Sequence, residues 1–213
     1  MMVDAYKDAG GDDVFSDSDV AHIVLERDKV LGTNSVEGLE VDVKKQKTGM
    51  VAVKVTILEN YKISNPVHMC FGVLPEKGKQ LIDMEVEVEK NASVEIMADC
   101  VFPNASKVKH VMEADIHLGE NSKYEYEENH YHGDTGGVEV IAKSDIKLEK
   151  GSELLTLFTL RKGRVGKIDF DYEAELDANT RVEMLARISG YADDQVKIRE
   201  AAHLNGENSR DLL

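Results

Sequence analysis

The sequence predicts an all-β protein built as a parallel β-helix. Three observations lead to this prediction: short alternating segments return about every 30 residues, a small turn residue follows most of them, and a second alternating segment comes after each turn. Alternation with a period of two indicates a β-strand. A unit of this length cannot bury its apolar face alone, so stacked copies are expected to share one continuous core.

The first alternating segments set the period of the repeat. They read VTILEN, VEVEKN, IHLGEN, IKLEKG, AELDAN and AHLNGEN, and they begin at Val55, Val86, Ile116, Ile146, Ala174 and Ala202. The successive spacings are therefore 31, 30, 30, 28 and 28 residues. An antiparallel β-sandwich made of hairpins is the alternative fold, but hairpin meanders seldom keep one period through six copies.

Each of these segments ends at a turn residue. Five of the six copies carry Asn or Gly five places after their start, namely Asn60, Asn91, Asn121, Gly151 and Asn179, and in the sixth copy an Asn stands one place later. Asn and Gly tolerate the positive φ that a sharp corner requires. We therefore expect these residues to form corners between strands.

The two ends of the chain differ from the repeats. Residues 1–18 are acidic and rich in Gly, Asp and Ser, which predicts a flexible N-terminal segment. Residues 19–213 are predicted to form the β-helix domain, and their first part, DVAHIVLERDKVLG, fits either a capping helix from Asp19 or the first strands. Because the sixth copy begins at Ala202 and the sequence ends at Leu213, we expect the last coil to be incomplete, in a fragment or under a partner.

Composition argues against several classes of function. With 41 acidic and 26 basic residues the net charge is −15, so nucleic-acid phosphates and anionic membrane surfaces would be repelled. No apolar run approaches the ~20 residues that span a bilayer, and the acidic N-terminus is unlike a signal or transit peptide. The sequence thus predicts a cytoplasmic protein that binds neither nucleic acid nor membrane.

Cysteine and histidine residues fall at matching places in the second strands. Cys100 and His130 each lie 14 residues after the start of their copy, and Cys70 lies 15 residues after the start of a copy that is one residue longer. Stacked strands place equal offsets about 4.8 Å apart, so the three are predicted to form a column, with His68 and His132 beside it. Thiols and imidazoles can hold zinc, ferrous iron or the edge of an iron–sulfur cluster.

Ordinary packing is the other interpretation of this column. Cys100 shares a strand face with Val94, Ile96 and Ala98, and a free cysteine is among the most frequently buried residues. No C-x-x-C motif is present. Both interpretations remain open from the sequence.

The sequence offers little support for an enzyme. It contains no G-x-S-x-G, P-loop or dinucleotide-binding glycine motif. Glu125, Glu127 and Glu128 could supply the acid and base of a glycoside hydrolase, but Glu125 and Glu127 share a face opposite Glu128, which favours a solvated strand. In KGRVG, Arg164 could bind an anion, although a corner between strands is the simpler interpretation.

Several blocks of sequence resemble one known family. PVHMCFGVLPEKG, CVFPNASKVKHVMEA, HYHGDTGGVEV, KGRVGKIDFDYE, EMLARISGYADDQVKIRE and HLNGENSR are similar to the shorter archaeal and bacterial members of the SufB/SufD family of iron–sulfur cluster assembly proteins. The resemblance runs from about Val20 to the end of the sequence. It implies a right-handed parallel β-helix, in agreement with the repeat.

The resemblance also implies a function. It predicts a non-enzymatic scaffold subunit that pairs with a second SufB/SufD-like subunit and with a SufC-like ABC ATPase, and on which iron and sulfur are assembled into a transient cluster. In the family the β-helix continues past the point that matches Leu213, and the Cys, Glu and His residues of cluster assembly lie in that later part. The resemblance therefore transfers no site residue to this chain.

The sequence thus leads to one main functional hypothesis and two alternatives. The main hypothesis is a scaffold for iron–sulfur cluster assembly, with Cys70, Cys100, His130, His68 and His132 as a metal site that carries iron or a cluster. The alternatives are a metal-dependent or carbohydrate-active β-helix enzyme, which would need paired carboxylates in an open cleft, and a purely structural interaction module with a dry Cys/His ladder.

Overall fold

Two β-sheets that take successive strands of the chain in turn form a parallel β-solenoid of about five turns. The structure is a computed structural model that describes residues 2–8, 10–11, 13–45 and 50–213. The prediction of a parallel β-helix is confirmed, and the antiparallel sandwich is excluded because the repeated strands pair in parallel.

One short helix and fifteen strands make up the described chain. They are α1 Met2–Asp8, β1 His22–Glu26, β2 Lys29–Asn34, β3 Leu39–Lys45, β4 Val51–Ile57, β5 Val67–Gly72, β6 Lys77–Val88, β7 Ser93–Phe102, β8 Lys107–Leu118, β9 Lys123–His132, β10 Val138–Leu148, β11 Glu153–Lys162, β12 Lys167–Leu176, β13 Arg181–Arg187, β14 Gln195–Leu204 and β15 Arg210–Leu212.

The strands are distributed over the two sheets in a simple order. The first sheet has the order β15-β13-β11-β9-β7-β5-β1-β2, and the second sheet has the order β14-β12-β10-β8-β6-β4-β3. Only the pairs β1–β2 and β3–β4 among the described strands are antiparallel. Both pairs lie at the N-terminal end, and β4 already carries the first repeat start, Val55.

The repeat starts align across the second sheet. Each start is the direct partner of the next one in the hydrogen-bonded ladder. The pairs are Val55 and Val86, Val86 and Ile116, Ile116 and Ile146, Ile146 and Ala174, and Ala174 and Ala202. The period seen in the sequence is therefore the rise of one coil onto the next.

The corner residues adopt the left-handed conformation that the sequence predicts. The φ angles are 65° at Asn60, 57° at Asn91, 56° at Asn121, 75° at Gly151 and 60° at Asn179. In the sixth copy the Asn one place later, Asn208, has a φ of 58°. The expectation that these residues turn the chain between strands is confirmed.

The core lies between the sheets. Strands β6 to β13 place every second side chain inward, and apolar residues from the two sheets form one buried cluster along the solenoid. Phe71, Phe102 and Phe170 are among its largest fully buried members. Any polar side chain at an inward position is consequently surrounded by this core.

The N-terminal part packs on the outside of the first sheet. Helix α1 buries Met2 and Tyr6 against Cys70, Val24 and Val101. The segment after Asp19, for which a capping helix was one option, instead forms strand β1, which pairs in parallel with β5. The mobility predicted for residues 1–18 stays a prediction, and residues 1, 9 and 12 lie outside the described residues.

No helix in the described part of the chain is long and apolar enough to cross a membrane.

Candidate metal centre

Neighbouring strands bring a group of polar side chains into the interior of the solenoid. Cys100 points inward from β7, Glu128 and His130 point inward from the adjacent β9, and His110 points inward from β8 in the opposite sheet. All four side chains are buried. We call Cys100, His110, Glu128 and His130 the buried donor group.

The four residues are close enough to share one ion. Their ligand atoms all lie within 4.8 Å of one another. Cys100 Sγ is 3.8 Å from His110 Nε2 and 3.7 Å from Glu128 Oε1, and His130 Nε2 is 2.6 Å from the same carboxylate oxygen. Thiolate, imidazole and carboxylate are the usual protein ligands of zinc and ferrous iron.

The predicted column holds for one of its two cysteines. Cys100 is the direct partner of His130, as the repeat predicts. The inclusion of Cys70 is wrong, because Phe71 rather than Cys70 pairs with Cys100, and Cys70 pairs with Asp99. A shift of one residue turns a strand side chain to the opposite face. Cys70 therefore lies outside the sheet, beneath helix α1.

The difference between the predicted and the observed position of Cys70 arises at the corner before β5. Ile57 pairs with Val88 and Val67 pairs with Ile96, so the corner before β5 is two residues longer than the corner before β7. The spacings between successive repeat starts, 31 residues from Val55 and 30 residues from Val86, indicate only one extra residue. The position equivalent to Cys100 is thus sixteen residues after Val55 rather than fifteen.

The strand register also places the two flanking histidines, His68 and His132, on opposite faces of the first sheet. His68 lies on the outer face with Cys70, in register with His22 of β1, so its predicted place beside the ligands is wrong. His132 lies inside, and its Nε2 is 3.1 Å from His130 Nδ1. His132 therefore supports the buried donor group from one side.

Two members of the group were not predicted as site residues. His110 comes from the opposite sheet, and its inward alternation on β8 with Val108 and Met112 is the signal that could have found it. Glu128 was interpreted as part of a solvated strand, which is wrong for this residue because it is buried.

The hydrogen bonds around His130 fix where its proton lies. His132 Nδ1 can only donate to the Arg164 carbonyl at 2.8 Å, so the neutral His132 ring accepts at Nε2 and receives the Nδ1–H of His130. A neutral His130 then presents a lone pair at Nε2. That lone pair faces Glu128 Oε1 at 2.6 Å, and two acceptors approach so closely only with a cation between them, a proton or a metal ion.

Burial controls the charge of the other groups. Burial raises the pKa of the Cys100 thiol well above its usual range, and the Glu128 carboxylate adds to that effect. Burial also lowers the pKa of His110 to about 3 and that of His132 to about 3. For Glu128, burial alone would raise the pKa, but the close contact with His130, together with His110 and the Tyr126 hydroxyl, produces a net lowering of the pKa.

Aromatic rings surround the imidazoles. The Phe102 ring centroid lies 5.2, 5.8 and 5.6 Å from those of His110, His130 and His132, and Phe158 lies 4.7 Å from His130. Such a wall keeps bulk water away and strengthens electrostatic interactions inside it.

A small cavity adjoins the group on the side of Glu128. It has a volume of about 40 Å³, and its lining includes Tyr126, Phe158 and Tyr172. The Tyr126 hydroxyl donates to Glu128 Oε2 at 3.1 Å. The space is large enough for a water molecule, which needs roughly 10–15 Å³ by the same kind of measure.

The carboxylates considered for an enzyme do not converge. Glu125 is paired with Lys123 at 2.5 Å and Glu127 with Arg161 at 2.9 Å on the outer face, whereas Glu128 points inward. The predicted opposition of Glu128 to the other two is confirmed. These three residues therefore provide no acid and base pair of the kind that glycosidases use.

Comparison with known proteins identifies relatives along most of the chain. No protein-family model matches it. It is 31% identical over 191 residues to an iron–sulfur cluster assembly SufBD family protein of Methanocaldococcus jannaschii, a match that covers 90% of this chain and 60% of the relative. It is 32% identical over 209 residues to an iron–sulfur cluster assembly SufBD family protein of Pyrococcus horikoshii, covering 98% of this chain and 63% of the relative.

The chain thus spans about three fifths of the length of the curated relatives it matches. Over nearly its whole length it is similar to two proteins named as members of the SufBD family of iron–sulfur cluster assembly proteins, which confirms the resemblance of its sequence blocks.

Proposed function

We propose that this chain acts as a non-enzymatic scaffold in iron–sulfur cluster assembly, within a SUF-type complex. The observation that carries the proposal is the identity of 31% and 32%, over 191 and 209 residues, to two proteins named for iron–sulfur cluster assembly. Iron and sulfur, or the cluster made from them, are then the cargo of the complex.

The architecture is compatible with a scaffold. Each coil of a solenoid contacts only its neighbours, and the stack offers long, rigid faces on which partners can bind. The sequence has no nucleotide-binding loop, so ATP hydrolysis would be supplied by a partner. The partners we propose are a SufC-like ABC ATPase and a second SufB/SufD-like subunit, in the cytoplasm.

The other functional classes receive less support. A carbohydrate-active enzyme needs two carboxylates that face one cleft, and Glu125, Glu127 and Glu128 face different surroundings. A purely structural module would leave the buried donor group without a ligand, which makes the metal content of the chain a useful discriminator.

The proposal is tested with purified components under anaerobic conditions. The chain is mixed with a SufC-type ATPase and a second SufB/SufD-type subunit from the same organism, together with Fe²⁺, sulfide and ATP. We expect a complex on gel filtration and faster transfer of a cluster to an apo-ferredoxin acceptor, measured by visible absorption, than with an unrelated acidic protein in place of the chain. Failure to form the complex, with transfer equal to the control, would contradict the proposal.

A further inference from the structure

We propose that Cys100, His110, Glu128 and His130 bind one divalent transition-metal ion of the zinc class inside the solenoid. The site would be a resident mononuclear centre, distinct from any cluster carried as cargo. The inference does not rest on the proposed function, because it follows from the four side chains and their hydrogen bonds.

The distances in the buried donor group suit a single tetrahedral ion. Bonds of about 2.3 Å to sulfur and about 2.0 Å to nitrogen or oxygen place neighbouring ligand atoms roughly 3.3–3.8 Å apart. The distances from Cys100 Sγ to His110 Nε2 and to Glu128 Oε1 are 3.8 and 3.7 Å. The 2.6 Å contact between His130 and Glu128 has to widen by less than about 1 Å to admit the ion.

The hydrogen-bond chain behind His130 prepares this residue as a ligand. The Arg164 carbonyl accepts from His132 Nδ1–H, and His132 Nε2 accepts from His130 Nδ1–H. The lone pair of His130 is left on Nε2, on the side of Cys100 and Glu128. Metal-binding histidines are held in this way, with the second ring nitrogen donating to a fixed acceptor.

His110 provides an independent indication. It is 1% exposed, yet Nδ1 has no hydrogen-bond partner among the described residues, and Nε2 has only the 3.8 Å contact with Cys100 Sγ. A buried imidazole held only by packing leaves polar atoms unsatisfied, which native proteins usually avoid. Coordination of a metal ion would satisfy one of its two nitrogens.

The donor set also selects the kind of ion. A single thiolate is too few for an ordinary iron–sulfur cluster, which is held mainly by cysteines, and Cys70 lies on the other face of the sheet. Magnesium and calcium prefer oxygen ligands alone. One sulfur, two nitrogens and one oxygen favour zinc, or ferrous iron or cobalt in the same geometry.

Cobalt is the probe that reports geometry directly. Co²⁺ alone, without sulfide or partner proteins, is titrated anaerobically into wild type, Cys100→Ser and Cys70→Ser. Wild type and Cys70→Ser are expected to show a thiolate charge-transfer band and intense visible bands at one Co²⁺ per chain. Cys100→Ser is expected to lose the charge-transfer band and to bind about 100-fold more weakly. Cys70→Ser is the matched control, because it removes a cysteine that is equally buried but lies on the outer face.

The wild-type chain provides the second measurement, in case Cys100→Ser does not fold. After dialysis against excess Zn²⁺ and then against buffer, we expect one zinc per chain. Added Co²⁺ is expected to compete for the same site and to release one zinc for each cobalt bound. Zinc content near zero in a folded wild type, or identical cobalt spectra for all three chains, would overturn the inference. Neither outcome would change the partner assay that tests the proposed function.

Discussion

His132 connects the buried donor group to the wall of the solenoid. It accepts a hydrogen bond from His130 and donates one to the Arg164 carbonyl. Outer hydrogen bonds of this type orient the imidazole that binds the metal, and losing one typically lowers metal affinity about 10–100-fold. His132 is therefore a positioning residue, although it is not one of the four ligands.

The substitution His132→Phe is expected to lower zinc affinity about 10–100-fold while all four ligands are kept. Phe retains a ring of similar size and removes both hydrogen bonds, so His130 is free to rotate. The measurement is competition for zinc with a chromogenic chelator. His68→Phe serves as the control, because His68 is also a buried histidine but lies on the outer face. Equal affinities of the two variants would show that the hydrogen bonds of His132 do not matter.

The individual residues of the site could be predicted only in part. Equal offsets in the repeat identify Cys100 and His130 as neighbours, and the structure pairs them. The same arithmetic fails for Cys70, because the sequence does not show how many residues a corner absorbs. His110 was missed for another reason. Its alternation with Val108 and Met112 indicates an inward side chain, but the residues it meets across the core depend on how the corners close.

Among the elements of the fold, the corners between the sheets carry the strongest sequence signal. Asn91 has a φ of 57°, and its side-chain amide donates to the Asn60 side chain of the preceding coil at 2.9 Å. Asn and Gly accept this conformation, whereas most other residues are strained in it by about 1–2 kcal/mol.

Asn91→Ala is therefore expected to be less stable than Asn91→Gly by about 1 kcal/mol. Both variants lose the side-chain ladder to Asn60, so the difference between them isolates the cost of the left-handed backbone. Urea unfolding followed by circular dichroism measures it. An alanine variant as stable as the glycine variant would argue against a strained corner.

The corner between β11 and β12 is held by a partly buried ion pair. Arg164, which the sequence places in a turn between two glycines, donates to Asp194 through Nε at 3.0 Å and through Nη2 at 2.8 Å. Asp194 also accepts from the backbone N–H groups of Val165 and Gly166. The simpler interpretation of KGRVG as a corner is confirmed, and the guanidinium is already occupied by carboxylates of the chain.

This ion pair predicts an acid-dependent loss of stability. Burial tends to raise the pKa of Asp194, but the hydrogen bonds from Arg164 and the backbone outweigh it and hold the pKa at about 2, below the usual 3.8. Because the folded-state pKa is depressed, the contribution is complete above about pH 4 and is lost as the pH falls through about 2.

We expect the stability advantage of wild type over Asp194→Asn to shrink between pH 4 and pH 2. Asn keeps the shape of the side chain but carries no charge that can be titrated. Thermal unfolding midpoints of both proteins across this range measure the advantage. A difference that stays constant or grows towards pH 2 would mean that Asp194 does not carry the effect.

At the scale of the whole molecule, the repeat determines most of the fold. The period of 28 to 31 residues predicts the register of β4 to β14 in the second sheet, and the structure follows it. Strands β1 to β3 lie outside the repeat, so the spacing predicts neither these strands nor their antiparallel pairing. Helix α1 was also missed, because its acidic composition resembles that of a flexible tail.

A metal ion inside the core would stabilise the whole solenoid. An ion that binds only the folded chain adds about 2.7 kcal/mol at a hundredfold excess over its dissociation constant, which raises the unfolding midpoint by roughly 5–10 °C for a domain of this size. We expect this rise with zinc for wild type and Cys70→Ser and its loss in Cys100→Ser. Differential scanning calorimetry measures all three, and an equal rise in Cys100→Ser would assign the effect to another site.

The outer surface makes the location of the ion important. On the second sheet, Glu85, Asp115, Asp145 and Glu173 are aligned in register across adjacent strands, in a chain of net charge −15. Like charges at such close spacing attract cations loosely. A measurement of metal content alone therefore does not distinguish ions on the acidic outer face from an ion in the interior.

Anomalous diffraction at the zinc edge, from crystals grown with one equivalent of zinc, distinguishes the two locations most directly. We predict one strong peak inside the solenoid, about 2.3 Å from Cys100 Sγ and about 2.0 Å from a nitrogen of His110, from Glu128 Oε1 and from His130 Nε2. Peaks confined to the acidic outer face, with His130 Nε2 still in direct contact with Glu128 Oε1 and no density between them, would contradict the metal site.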